Sequence, residues 1–175
     1  MSPEAILRQA APDEVDAAYA LILQRVAWMD QVGLKQWNCS GYLEAYPKAY
    51  FAQMQAEGRL YVQAEDGEIT ALAVLLDEDS RWAGFPPEKA WYVHNFAAAV
   101  SRRGAGRAML AAIRDQAARR GKRFLRLDCA RDSAFLNEYY EKQGFLRVGE
   151  CCEGPYYHGV LRQLRLDAGE SIGNL

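Results

Sequence analysis

The sequence predicts an α/β (α+β) protein: a mixed, mostly antiparallel central sheet of about seven strands with helices on both faces. Three observations carry this. Segments of strand-like and helix-like hydrophobic period follow one another in the order β-α-α-β-β-β-α-β-α-β-β. Two pairs of neighbouring strands read as antiparallel, one of them around Asp66-Gly67, a strong two-residue hairpin turn. One strand, "WYVHNFAAAV", runs through a glycine turn, "SRRGAG", straight into a helical pattern.

Each element has its own signal. "AILRQA" is a short first strand. Pro12 suits the first turn of a helix, and Asp13 and Glu14 favour its positive end. Val15, Tyr19, Ile22, Val26 and Met29 follow at helical spacing, and Gly33 is a natural stop. "GLKQWNCSGY" is a loop carrying Trp37, Asn38 and Tyr42. A second helix is expected from about Tyr42 to Glu57, with Pro47 near its first turn. "RLYVQAEDGEITALAVLL" is a hairpin, and "DEDSRWAGFPPEKA" a polar loop. The glycine-turn helix runs to about Arg120 and stops at Gly121. "RFLRLDC" is a strand whose Phe124, Leu125 and Leu127 are apolar and whose Arg126 and Asp128 are polar. "SAFLNEYYEKQGF" is a short helix closed by Gly144, and "LRVGECC" and "YYHGVLRQLRL" are two final antiparallel strands. No repeat or linker interrupts the chain, so residues 1–166 are expected to form one domain, with 167–175 as a frayed tail.

The 175 residues suffice for a proper core, and with 50% hydrophobic and 25% charged residues the composition is that of a globular protein. A net charge of −2 argues against a nucleic-acid partner. The longest apolar stretch, "ALAVLL", is far short of a membrane span, so no membrane partner is expected. The first residues carry no basic region followed by an apolar one, which predicts a cytoplasmic protein. Cys39, Cys129, Cys151 and Cys152 have no CxxC spacing, and there are only two histidines, so no metal site is expected. The cysteines read as reduced packing thiols, with no cysteine–histidine pairing visible along the chain.

The glycine turn is the feature with chemistry in it. Arg102, Arg103 and Arg107 are either a solvated helix start or a docking point for an anion, since positive charge opposes the macrodipole there. A nucleotide P-loop needs Gly-Lys-Ser/Thr, whereas Gly106 is followed by Arg107 and Ala108. A dinucleotide fingerprint needs a third glycine, where Met109 stands. A short turn whose backbone N–H groups face a pyrophosphate needs neither metal nor lysine, and it fits Gly104-Ala105-Gly106.

"SRRGAGRAML", then "RFLRLDC", then "LNEYYEKQGF" at this spacing resembles the GNAT superfamily of N-acetyltransferases, whose pattern is Arg/Gln-x-x-Gly-x-Gly/Ala with a later Tyr-Glu-x-x-Gly-Phe. Gly104-Ala105-Gly106 and the run from Tyr140 to Phe145 match, and the strand order extends the likeness over nearly the whole chain. Two positions depart. Ser101 stands at the first pattern position, leaving Arg102 or Arg103 to supply that contact. Ser133 stands where an Asn is common, seven residues before Tyr140.

The resemblance implies acetyl-CoA as co-substrate and no metal. It places the pyrophosphate on the backbone of Arg102, Arg103, Gly104, Ala105, Gly106 and Arg107, and the pantetheine arm along Phe96, Ala97 and Ala98. It implies Tyr140 as general acid to the leaving thiolate; read from residues alone, Tyr139 and Tyr140 are equally core aromatics. It makes His94 a candidate proton relay, with a structural strand histidine as the alternative, and Asp128 a substitute or a partner for it. Trp37, Asn38, Tyr42 and Trp82 fall on loops and, with Asp128, would border a small-molecule amine acceptor, or simply pack. The expected activity is direct transfer of an acetyl group to a small amine. The rivals are an acyl-CoA sensor without catalysis and a partner-binding domain. A homodimer is expected only by analogy with the superfamily.

Overall fold

The computed structural model describes residues 6–166; the expected frayed tail, 167–175, and the first residue of the expected strand, Ala5, lie outside them. Seven strands form one sheet: β1 (Ile6–Gln9), β2 (Leu60–Glu65), β3 (Glu68–Leu76), β4 (Ala90–Ala98), β5 (Phe124–Ala130), β6 (Leu146–Glu153) and β7 (Tyr157–Arg165), in the order β1-β2-β3-β4-β5-β7-β6. β4 and β5 pair in parallel, while β1–β2, β2–β3, β5–β7 and β6–β7 pair antiparallel. The helices are α1 (Val15–Val32), α2 (Tyr42–Ala45), α3 (Lys48–Ala56), α4 (Ala105–Arg119) and α5 (Ala134–Lys142).

The chain divides into two compact units, one built on residues up to Leu75 with His94–Ile113, the other on Leu76–Val93 with residues from Arg114 onward. In the first, α1 packs against α3, and Ile22 and Phe51 are wholly buried with Leu60, Leu72 and Met109. Gly33 ends α1 in the left-handed conformation at φ 72°. Asp66 and Gly67 both take positive φ, 52° and 80°, as a tight hairpin turn with matching strand twist requires. The single helix expected over residues 42–57 is instead two. Pro47 disfavours helix at the preceding residue and has no N–H to donate. Tyr46 accordingly leaves helical geometry at φ −126°, ψ 68°, and Pro47 becomes the cap of α3.

In the second unit, Trp82, Ala90, Tyr92 and Leu161 form a buried cluster, with Phe85 and Phe124 against it. Arg126, which reads as a polar strand position, is buried there. Its guanidinium lies over the Trp82 ring at 4.7 Å, and it donates to the Tyr92 hydroxyl at 3.0 Å and to Gln163 Oε1 at 3.2 Å. Aromatic faces and two neutral acceptors replace water around this cation.

Candidate functional site

The glycine turn spans residues 99–104, between β4 and α4. It opens with the Ala99 N–H bonded to Thr70 O at 2.8 Å and closes with the Ala105 N–H bonded to Arg102 O at 3.1 Å. The first α-helical bond there runs from Ala108 N–H to Gly104 O at 3.0 Å. The N–H groups of Arg103, Gly104, Gly106 and Arg107 make no backbone hydrogen bond among the described residues. They are the orphan donors of a helix start, at the positive end of a 15-residue macrodipole. Gly104 takes φ 83°, and a Cβ there would meet nothing within 4 Å, so the turn is open on that side. From below, Gln63 of β2, only 2% exposed, donates to the Ala105 carbonyl at 3.2 Å and to Thr70 Oγ1 at 3.2 Å. Arg102 pairs with exposed Glu68 at 3.2 Å, a surface contact that an anion can displace at little cost. Arg103 and Arg107 are exposed.

Upstream on β4, Ala97 and Ala98 are buried, and Phe96 and His94 half-buried. Between His94 and Phe96 lies a residue that sequence reasoning passed over. Asn95 is buried and takes φ 51° in the middle of the strand. Its Nδ2 donates to the Tyr42 hydroxyl at 2.7 Å, and its Oδ1 accepts from the Tyr50 hydroxyl at 3.0 Å. Asn is among the few non-glycine residues that tolerate this conformation, so an Asn inside an apolar strand is the signal that could have found it.

Tyr42 is in turn stacked on Trp37, centroids 4.2 Å apart and planes 5° apart, and a ladder of rings continues through Tyr46 and Tyr50 to Phe51. Burial pushes the Tyr42 hydroxyl well above the ordinary phenol range, so it stays protonated. Asn38 is used inside its own loop: Oδ1 accepts from Gln36 N–H at 2.8 Å, while Nδ2 donates to Asp30 Oδ1 at 2.6 Å and Leu34 O at 2.8 Å. An open cleft of about 240 Å³ beside this loop is lined by Val26, Trp37, Asn38, Cys39 and Glu44 among others. An indole and a carboxylate on its walls suit a cationic group.

In the second unit, Ser133 caps α5, its Oγ accepting from Leu136 N–H at 3.3 Å. Tyr140 lies on that helix, 7% exposed, with its ring edge-on to Tyr139 at 5.3 Å and Phe145 at 5.7 Å. Burial raises the Tyr140 hydroxyl far above the usual phenol range, and no hydrogen bond to it is present among the described residues. It is therefore a protonated donor across the physiological range. The Cys129 thiol is pushed up to about 11, first by burial.

Asp128 sits inside an ionic network. Its side chain is 7% exposed and meets Arg81 Nη1 at 3.0 Å and the Tyr157 hydroxyl, donating, at 2.5 Å. Arg81 also pairs with Glu153. Partners 29 to 47 residues away in sequence supply this network, so no local pattern announces it. The β6–β7 register also sets Cys152 opposite His158, Sγ to Nδ1 3.1 Å, a pairing invisible along the chain. Among the described residues no three His, Cys, Asp or Glu side chains converge as metal ligands, and no helix is long and apolar enough to cross a membrane.

The model of the acetyltransferase (GNAT) family matches residues 28–145. An uncharacterized N-acetyltransferase of Bacillus subtilis (strain 168), YesJ, is 29% identical over 159 residues, which is 85% of this chain and 84% of that protein. A GNAT-family acetyltransferase of Listeria monocytogenes superposes with TM-score 0.77 at 21% identity, covering 93% of this chain and 95% of its own. The PaiA N-acetyltransferase of Thermoplasma acidophilum, solved with coenzyme A, superposes with TM-score 0.68 at 12% identity, covering 93% and 99%.

Proposed function

Since the chain belongs to the acetyltransferase (GNAT) family and is an N-acetyltransferase, we propose that it moves the acetyl group of acetyl-CoA directly onto a small amine. The observation that carries this reading is the row of amides at Arg103, Gly104, Gly106 and Arg107 with no backbone hydrogen bond among the described residues, opening a helix beside a glycine with free space on its outer side. Such a row is complementary to a pyrophosphate and needs no metal. Arg102, Arg103 and Arg107 add positive charge where the diphosphate docks. The pantetheine arm follows the backbone of Phe96, Ala97 and Ala98.

In the reaction, His94 takes a proton from the ammonium form of the acceptor and passes it to solvent water. The neutral amine nitrogen attacks the thioester carbonyl, and the C–S bond breaks as the tetrahedral adduct collapses. The departing CoA thiolate takes the hydroxyl proton of Tyr140, which burial keeps protonated until that moment, and the proton the acylated nitrogen sheds restores the Tyr140 phenol. The acceptor lies against the Trp37 and Tyr42 rings.

The test is a thermal-shift titration with acetyl-CoA, CoA and ATP, followed by release of CoA thiol with tyramine, spermidine, ethanolamine and an alanyl tripeptide. A ligand at a hundred times its Kd raises Tm by about 5–10 °C in a chain of this size. Acetyl-CoA and CoA are expected to do so and ATP not. No shift with either CoA species overturns the cradle, and binding without thiol release to any amine overturns the acceptor class.

A further inference from the structure

We propose that Arg162 is a positioning residue for Tyr140, acting as a clamp on both ends of the segment that carries it; the proposal rests on the reading of Tyr140 as the general acid. Arg162 sits on β7 and is 5% exposed. Its Nε and Nη2 both donate to Asn137 Oδ1, at 3.3 and 3.1 Å, and its Nη1 donates to the Phe145 carbonyl at 3.0 Å. Asn137 lies three residues before Tyr140 on α5. Phe145 follows the helix, its N–H bonded to the Tyr140 carbonyl at 3.0 Å and its ring against the Tyr140 ring. One planar fork therefore holds the helix on the near side of Tyr140 and the returning chain on the far side.

Asn137 extends the grip. Its Nδ2 donates to the carbonyls of Ala130, Arg131 and Ser133, at 3.1, 3.3 and 2.9 Å, tying α5 to the end of β5. Cys129 adds its Sγ to Asn137 Oδ1 at 3.6 Å.

The charge makes this more than packing. No carboxylate pairs with Arg162 among the described residues; its acceptors are a neutral amide and a peptide carbonyl. A buried cation with only neutral partners is costly, and an apolar residue of similar volume would fill the site more cheaply. What the guanidinium contributes is geometry, since a rigid fork reaches two groups at fixed separation and a lysine cannot. A general acid must be held to about 0.5 Å of its productive position, so the site has a use for that rigidity.

The experiment is a kinetic cycle of Arg162→Lys and Tyr140→Phe, singly and together, in the full chain, with the fastest amine of the panel above. Arg162→Lys is expected to lower kcat ~10- to 100-fold, the cost of a misplaced catalytic group, and to leave KM for acetyl-CoA within ~3-fold. With Phe at position 140, the same replacement at Arg162 should cost less than ~2-fold more, because the group it positions is gone. Equal losses in both backgrounds, or an unchanged kcat in the single variant, overturn the clamp. A wild-type kcat for Tyr140→Phe alone overturns the general-acid reading instead. Asn137→Ala, which removes the acceptor side of the fork, is run in parallel and should show the same kcat loss and the same dependence on Tyr140. Failure of both variants to bind acetyl-CoA would assign the fork to the fold as a whole and also overturn the proposal.

Discussion

Replacing Asn95 tests what holds the left-handed backbone of β4 between His94 and Phe96. The residue contributes in two separable ways. Its side chain makes two buried hydrogen bonds, to the hydroxyls of Tyr42 and Tyr50. Each is worth about 1 kcal/mol net, and the partners it abandons are hydroxyls already inside the aromatic ladder. Its backbone stands at φ 51°, which costs an ordinary L-residue about 1 kcal/mol and glycine almost nothing. Asn95→Ala should therefore lose about 3 kcal/mol, and Asn95→Gly only the hydrogen-bond share of about 2 kcal/mol. In urea unfolding monitored by tryptophan fluorescence, Gly should be the more stable of the two by about 1 kcal/mol at equal m-value. This ordering is the reverse of the usual strand preference, in which glycine is the weaker residue. Alanine matching or exceeding glycine would refute the reasoning, because the left-handed backbone would then carry no cost. The pair also separates stability from function, since both variants delete the side chain while only Ala asks the strand to relax toward extended geometry.

Two further outcomes follow from the ionic contacts. Arg8 grips Glu14 with two bonds, 2.6 and 2.8 Å, and holds its carboxyl down to about 2 from an ordinary 4.5. A depressed folded-state value stabilises the native state above about pH 4.5 and loses that contribution as pH falls through about 2. The stability difference between wild type and Glu14→Gln should therefore be full at pH 7 and vanish by about pH 2, and a gap that persists in strong acid would contradict it. With Arg8 half exposed to solvent, the gap at neutral pH should be about 1 kcal/mol. Asp128→Asn removes the innermost partner of Arg81, whose side chain is 17% exposed, and should cost about 3 kcal/mol in thermal or urea unfolding. Tyr157→Phe, which removes only one bond to the same carboxylate, should cost about 1 kcal/mol.

The elements were legible because their causes are local. Asp66-Gly67 encodes a turn in two residues, and it is a turn at φ 52° and 80°. Gly33, Gly121 and Gly144 end helices at positive φ, as their places after periodic runs foretell. The break at Pro47 is equally local: a proline suits a first turn, but the rule on the residue before proline prevails and splits the helix. The family pattern located the glycine turn and Tyr140 because both are short and contiguous. Asp128 is legible as a polar strand residue and, through the resemblance, as a substitute or partner for His94. Its partners Arg81, Glu153 and Tyr157 come from other elements, so neither its pairing nor its burial could be seen.

The sequence by itself determined the element order, the hairpin, the helix ends and the glycine turn, because backbone sterics and hydrophobic period act over a few residues. Tertiary structure alone decided which polar groups go inside. Arg126 reads as a polar strand residue and is roofed by Trp82, 44 positions earlier; Arg162, on the last strand, grips Asn137 and Phe145. Asn95 is buried at a positive φ where Tyr42 and Tyr50 fold back to meet its side chain. A buried polar group is tolerated only where partners satisfy it, and those partners arrive from distant parts of the chain when it folds.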